Sequence, residues 1–174
     1  MPFLAQPSSL YKESFIKALD EFNHEDLWTD LDRVFLENRF DDYIDELSKN
    51  SKGLGLPLGW VPSTEYWLVE GDHFIGRINI RHKLTKPLES FGGHIGYEVR
   101  KSERRRGHAK SMLKLALPKV LEIGIKKVLI TCDSNNLASQ KVIKACSGVF
   151  QDETQLEDRE VPTQRYWIEL APKD

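Results

Sequence analysis

Hydrophobic positions recur along this chain with two periods, and each change of period marks an element boundary. In the first third, Leu10, Phe15, Ala18, Leu19 and Phe22 fall on one helix face. Leu31, Val34, Phe35, Phe40, Tyr43, Ile44 and Leu47 predict one or two further short helices with acidic outer faces. The run Lys52-Gly53-Leu54-Gly55-Leu56-Pro57-Leu58-Gly59 breaks all periodicity and reads as a turn region or as a lip over a pocket. Strands are predicted at 65–70 and 74–81, with Gly71-Asp72 between them as a tight hairpin turn. Residues 83–90, which carry Pro87, read as a loop.

From His94 to Arg100 the period is two: Ile95, Tyr97 and Val99 share one face, and His94, Gly96, Glu98 and Arg100 share the other. Past Ser102 and Glu103 the step lengthens to three and four. Ala109, Met112, Leu113, Ala116, Val120 and Leu121 then form the stripe of an amphipathic helix. Pro118 lacks a backbone donor and is expected to bend that helix. Residues 128–133 read as a buried strand, and Ser134-Asn135-Asn136 leads into a short helix through Cys146, closed by Gly148. A last pair of strands is predicted at 149–151 and 164–170, with the polar, acidic stretch 152–160 as a solvated excursion between them. No repeat, low-complexity tract or linker interrupts the pattern, so one domain spanning 1–174 is expected.

A chain of 174 residues can bury a core without disulfides. Both cysteines, Cys132 and Cys146, fall at buried positions of the pattern, which predicts reduced thiols and a cytoplasmic setting. The histidines and cysteines have no metal-ligand spacing, and no apolar run approaches the length of a membrane span. A net charge of −2 argues against nucleic acid as a partner of the whole surface, and makes the arginines between Arg100 and Arg106 a local device.

That device is Arg104-Arg105-Arg106-Gly107-His108-Ala109, where the predicted strand gives way to the long helix. The first turn of a helix leaves N–H groups without intrahelical partners, and the helix dipole adds about half a positive charge there, so an anion is favoured. Gly107 allows close approach of a ligand. The spaced glycines of a dinucleotide fingerprint and the Gly-Lys-Ser/Thr ending of a P-loop are both missing. A solvated basic face is the alternative reading of the run.

The pattern Arg/Gln-x-x-Gly-x-Gly/Ala after a strand and opening a helix resembles the acetyl-CoA pyrophosphate site of the GNAT family of N-acetyltransferases, with Arg104, Gly107 and Ala109 in the matching places. The later strand, the Asn-x-x-Ala helix start and the Gly-x-Phe that follows also resemble the family, through Asn135, Ala138, Gly148 and Phe150. The resemblance spans about residues 65–170. It implies an α/β (α+β) fold with a mixed, mostly antiparallel central sheet and helices on both faces, and acetyl-CoA as co-substrate with no metal. Residues 65–170 would form the acetyl-CoA-binding core, and residues 1–60 the N-terminal helices and acceptor-side loop. Tyr97, Val99, Arg104, Arg105, Arg106, Gly107, His108, Ala109, Asn135 and Ser139 are the implied cofactor contacts. The strand around Tyr97 and the strand around Leu129 are implied to splay apart, so that their unpaired backbone groups hold the pantetheine arm.

Transfer to an amine needs a base for the ammonium and a route for the leaving thiolate. Glu98 and His94 are the candidate bases, on one strand face about 13 to 14 Å apart. A salt bridge to the arginines is the structural alternative for Glu98, and a packed strand histidine the alternative for His94. Many family members carry a tyrosine acid seven residues after the asparagine, but that position here is Val142; Tyr166 and Tyr97 are the conceivable replacements. Asn135 suits either a pantetheine amide or a helix N-cap. The acceptor, a small-molecule or peptide amine, would lie among the N-terminal helices, the 54–60 loop and Arg81-His82, with Trp60, Tyr66 and Trp67 as aromatic surface and Asp41, Asp42, Asp45 and Glu46 as attracting charge. A homodimer stays open. Two other classes compete with the enzyme: a CoA-binding sensor or regulatory module on the same fold, and a nucleic-acid binder using the arginines.

Overall fold

The computed structural model describes residues 1–170, so the last residues of the expected 1–174 domain lie outside it. In chain order the elements are β1 (Phe3–Ala5), α1 (Lys12–Asn23), α2 (Arg33–Asn38), α3 (Phe40–Ser51), β2 (Ser63–Glu70), β3 (His73–Arg81), α4 (Lys86–Ser90), β4 (Ile95–Val99), α5 (His108–Glu122), β5 (Lys127–Asp133), α6 (Leu137–Ala145), β6 (Val149–Thr154) and β7 (Thr163–Glu169). The strands form two antiparallel sheets, β1-β2-β3-β4 and β5-β7-β6. The expected hairpin is present, with Glu70 opposite His73 across Gly71-Asp72.

Helices cover both faces of the first sheet, as the alternation of its strands requires. On one face Leu68, Ile78, Ile80, Ile95 and Val99 pack with Met112, Leu113, Ala116 and Val120 of α5 and with Ile143 of α6. On the other, Phe15, Leu19 and Phe22 of α1 pack with Phe40 and Tyr43 of α3 and with Trp67 and Phe74 of the sheet. Phe15 stacks on Trp67 at 4.7 Å and on Trp28 at 5.3 Å, so one ring ties α1 to the sheet and to the α1–α2 loop.

Five local expectations change. β1 lies in a segment read without a strand; its few residues, between Pro2 and Pro7, are too short for alternation to register. The 83–90 stretch holds the short helix α4, whose Pro87 sits in its first turn, where its missing donor costs nothing. α5 runs through Pro118 without interruption. β6 continues to Thr154, into the expected excursion, because Asp152, Glu153 and Thr154 pair with β7. The N-cap of α6 is Asn136, whose side-chain oxygen accepts from Ser139 N at 3.0 Å, so Asn135 does not hold that role.

Phe15→Ala is expected to destabilise the chain by about 3–5 kcal/mol, since the cavity left would be walled by rings that cannot collapse into it. The check is a lowered urea midpoint with an unchanged slope.

Candidate active site

β4 pairs with a neighbouring strand on one side only. Its ladder to β3 sets Gly96 against Asn79 and Glu98 against Arg77, flanked by bonds from Arg81 N to His94 O and from Arg100 N to Ile75 O. In an antiparallel ladder, residues in hydrogen-bonded pairs alternate with residues whose N–H and C=O point away. The backbone groups of Ile95, Tyr97 and Val99 therefore point to the edge facing β5. No ladder joins β4 to β5. The two sheets are instead clasped just before β4: His94 N donates to Leu129 O at 2.8 Å, Leu129 N donates to His94 Nδ1 at 3.0 Å, and Gly92 N donates to Thr131 Oγ1 at 2.9 Å.

This places His94, buried and just before β4, as a clasp between the sheets. A backbone N–H can only donate, so Nδ1 is an acceptor and the neutral ring carries its proton on Nε2. Burial, with the Arg81 charge second, pushes the His94 pKa below its ordinary value, in keeping with that neutral form.

The turn beyond β4 is wound by two positive φ angles, 63° at Arg105 and 81° at Gly107, and Gly107 is the N-cap of α5. Gly107 has open space where a Cβ would stand. Among the described residues, the N–H groups of 105–110 have no acceptor, so consecutive donors line the turn and the helix start. The arginine side chains are less free. Arg100 is buried against Glu21, with bonds of 2.9 and 2.5 Å. Arg104 grips Glu25 at 2.9 and 2.6 Å and donates from Nε to Val99 O. Arg106 is exposed and reaches Glu103 at 3.1 Å; His108 lies 3.4 Å from the same carboxylate, and Ala109 packs on the core. The hydrogen bond from Arg104 holds Glu25 below the usual carboxylate range. The turn thus presents a row of main-chain donors, steadied by arginines that Glu21 and Glu25 have partly neutralised.

Between the sheets, Tyr97 reaches from β4 to α6, its hydroxyl 2.7 Å from Ser139 Oγ. Burial, only partly offset by the Ser139 bond, pushes its pKa up to about 12. Asn135 is exposed. Tyr166, a candidate acid, is buried in the core with its hydroxyl donating to Gln164 Oε1 at 2.6 Å.

On the opposite face of the first sheet opens a cavity of about 710 Å³. Its floor is polar: Ser63 and Glu65 of β2, Arg77, Asn79 and Arg81 of β3, and Gly96 and Glu98 of β4. Asp30, Leu31, Tyr43 and Leu47 wall it on the helical side, Trp60 at the lip, and Thr85, Pro87 and Leu88 at the far end. Of the surroundings expected for an acceptor, α3, Gly59 and Trp60 of the loop and Arg81 line it, and His82 does not. Of the expected aromatics only Trp60 lines it; Trp67 is fully buried and Tyr66 packs on the other face. Of the expected acidic residues none lines it; Asp45 borders a second cavity of about 260 Å³ instead.

Two residues not singled out from the sequence dominate the floor, Glu65 and Arg77. Arg77 Nε donates to Glu98 Oε2 at 2.8 Å, its Nη1 lies 3.8 Å from Glu65 Oε2, and its guanidinium stacks 4.0 Å above the Trp28 ring. Trp28 Nε1 also donates to Glu98 Oε2, at 2.6 Å, while among the described residues Glu98 Oε1 has no partner. The ion pair allowed for Glu98 therefore exists, with Arg77 rather than with the arginine cluster. Glu65 accepts from Trp67 Nε1 at 2.7 Å, and burial raises its pKa despite the pull of Arg77. Period-two alternation does place 65, 77 and 98 on one face, but only the register brings them together.

A family model described as Acetyltransferase (GNAT) domain matches residues 20–148, which takes in the end of α1, the cavity floor, the clasp and the turn. The chain belongs to the GNAT acetyltransferase family. The curated proteins searched contain no match to the sequence of this acetyltransferase. Among solved structures it resembles the Microcin C7 self immunity acetyltransferase MccE in complex with acetyl-CoA and AMP, with TM-score 0.67 and 14% identity over 97% of this chain and 92% of that one. It also resembles RimL, a ribosomal L7/L12 alpha-N-protein acetyltransferase in complex with coenzyme A, with TM-score 0.66 and 13% identity over 96% and 93% of the two chains. A third is a chimera of the spermidine N-acetyltransferase SpeG from Vibrio cholerae and hSSAT, with TM-score 0.64 and 11% identity over 97% and 95%. These likenesses establish the acetyltransferase fold.

The floor carries a pH signature. Glu65 has a folded pKa above its unfolded value, so folding binds its proton more tightly. Its contribution is full below the unfolded carboxylate pKa of about 4.3 and is lost as pH rises through the raised folded value. Glu21 and Glu25, whose folded pKa values are lowered, act below that window and with the opposite slope. The acetyltransferase should lose unfolding free energy with rising pH just above the ordinary carboxylate range, and Glu65→Gln should flatten that limb. Denaturant titrations at a series of pH values provide the check.

Proposed function

We propose that this chain moves the acetyl group of acetyl-CoA to a primary amine held in the cavity. The observation that carries the reading is the position of β4. Its free edge faces the cleft between the sheets, its end enters a turn lined with unpartnered N–H groups, and Glu98 on its face meets the cavity. The donors of 105–110 would bind the pyrophosphate, with the exposed Arg105 and Arg106 nearest in sequence to further phosphate charge. Pantetheine would run along Tyr97 and Val99, past Ser139 and Asn135, with a β4 N–H directed at the thioester oxygen.

Glu98 is the base in this reading. Oε2 is fixed by Trp28 and Arg77, and Oε1 is left to take a proton from the incoming ammonium, directly or through one water. The neutral amine attacks the carbonyl carbon, the N–C bond forms, the C–S bond breaks, and the proton the nitrogen sheds as the amide forms passes, through water, to the departing thiolate. His94 is unsuited to the step, because its lone pair is already used by Leu129 N–H. Tyr97, at about 12, is a weaker acid than a thiol at about 8.5, so it would hydrogen-bond the departing sulfur and keep its own proton. Tyr166 is closed off in the core. The buried, free thiols of Cys132 and Cys146 fit a cytoplasmic setting. Val142, where a tyrosine acid would stand, favours the second reading, a CoA-binding sensor on the same fold.

Three outcomes test this. Acetyl-CoA at a hundred times its dissociation constant should add about 2.7 kcal/mol of stability, read as a rise in Tm. Gly107→Glu should remove that rise while the variant stays folded, because it sets a carboxylate among the donors. Glu98→Gln should keep cofactor binding and lower kcat/KM for an accepted amine by about two to four orders of magnitude, measured as released thiol. His94→Ala should act on stability, through the lost clasp. Tight acetyl-CoA binding with no amine ever acetylated would return the chain to the sensor class.

A further inference from the structure

The two ends of the cavity floor carry unequal charge. At the Glu98 end, Arg77 is matched by two carboxylates, Glu65 and Glu98. At the other end Arg81 is part-buried, and among the described residues no carboxylate lies within ion-pair distance of it. Its Nη1 donates to the Gly92 and Gly93 carbonyls at 3.0 and 3.2 Å, and its Nε and Nη2 have no acceptor. The guanidinium lies over Gly96: a Cβ built there would stand 4.0 Å from both Nη1 and Nη2. Since Gly96 has no side chain, the plane of β4 is bare between the Arg81 cation and Glu98, two residues or about 7 Å further along the strand. A part-buried guanidinium with idle donors and no counter-charge is an anion site in electrostatic terms.

Resting on the acetyltransferase reading above, we infer that the acceptor is a zwitterion-type amine: its ammonium is taken at Glu98, and an anionic group a few bonds away, carboxylate or phosphate, is held by Arg81 over Gly96. Asp30, Glu65 and Glu98 then face the cationic end, and the single unmatched cation faces the anionic end. A purely cationic polyamine would leave Arg81 unmatched and place charge of the same sign beside it.

The test uses matched acceptor pairs with the full chain: glycine with glycinamide and β-alanine with β-alaninamide for the carboxylate, and 2-aminoethyl phosphate with ethanolamine for the phosphate. Comparing each pair's ratio between wild type and variant cancels the intrinsic reactivity of the amines. In wild type the anionic member of at least one pair should be favoured, and Arg81→Gln should lower that ratio about ten- to a hundredfold. The pair that responds identifies the anion. Because Arg81 also holds the Gly92-Gly93 turn, a second variant guards the result: Gly96→Asp meets only ordinary contacts and supplies Arg81 with an internal carboxylate. It should erase the same preference while acetyl-CoA still raises Tm. Binding of each pair to the CoA-loaded protein, read by calorimetry, decides the matter if no probe is turned over. Equal binding of anionic and neutral members, or a ratio unmoved by both variants, overturns the inference and leaves the acetyltransferase reading standing. A missing Tm rise with acetyl-CoA would instead strike that reading, independently of Arg81.

Discussion

Strand β4 is hydrogen-bonded to a neighbouring strand along one edge only, and the rest of the site is arranged around that fact. A sheet that continued from β4 into β5 would consume the backbone groups of Tyr97 and Val99. Here, among the described residues, main-chain bonding across the gap is confined to the His94–Leu129 clasp, with Gly92 N–H donating to Thr131 Oγ1 beside it. An unpaired edge inside a protein is costly unless something satisfies it. One carbonyl, Val99 O, is met by Arg104, and in the proposed function a pantetheine amide chain would supply partners for the rest. The clasp therefore fixes where the sheets stop touching, and with it where a ligand can replace a strand.

Charge around this edge is divided between side chains and backbone. The arginine run invites a picture of a bare cationic grip, yet Arg100 is bound to Glu21 of α1 and Arg104 to Glu25 in the turn just after α1. Those pairs dock the N-terminal helix onto the end of β4 and hold the turn in shape. The groups left without partners are main-chain N–H groups, and in the proposed function these would meet phosphate without the entropy cost of ordering long side chains. Partial neutralisation by Glu21 and Glu25 also relieves the repulsion of several cations at the positive end of α5.

How much could be read beforehand follows from the range of each interaction. Strand β4, the glycine turn and α5 are local: two periods and a left-handed glycine are written in consecutive residues, and all are found in place. The α6 cap moved by one residue, from Asn135 to Asn136, because adjacent asparagines offer the same chemistry and only the turn geometry chooses between them. Glu65 and Arg77 escaped notice because each lies on an otherwise ordinary strand. Their meaning arises from the β2–β3–β4 register, which sets Arg77 between them, and from a tryptophan in a distant loop. The clasp role of His94 depends on Leu129, far along the chain, and no local pattern announces it.

The Glu65–Arg77–Glu98 group is poorly explained by stability alone. Taking charges out of water costs several kcal/mol per ion, and the attraction within a buried pair often does no more than repay it. Apolar side chains on the same floor would pack against Trp28 and Tyr43 without that penalty. What the charges provide is orientation. Arg77 and Trp28 both hold Glu98 Oε2, so the carboxylate cannot turn, and its other oxygen stays directed at the cavity. Glu65, held by Trp67, keeps Arg77 from swinging into the cavity. In the proposed function a base held in this way would need no histidine relay, and a thiolate leaving group would need no strong acid. On that argument Val142 in place of a tyrosine removes one aid to the leaving group and leaves the rest of the acyl-transfer apparatus in place.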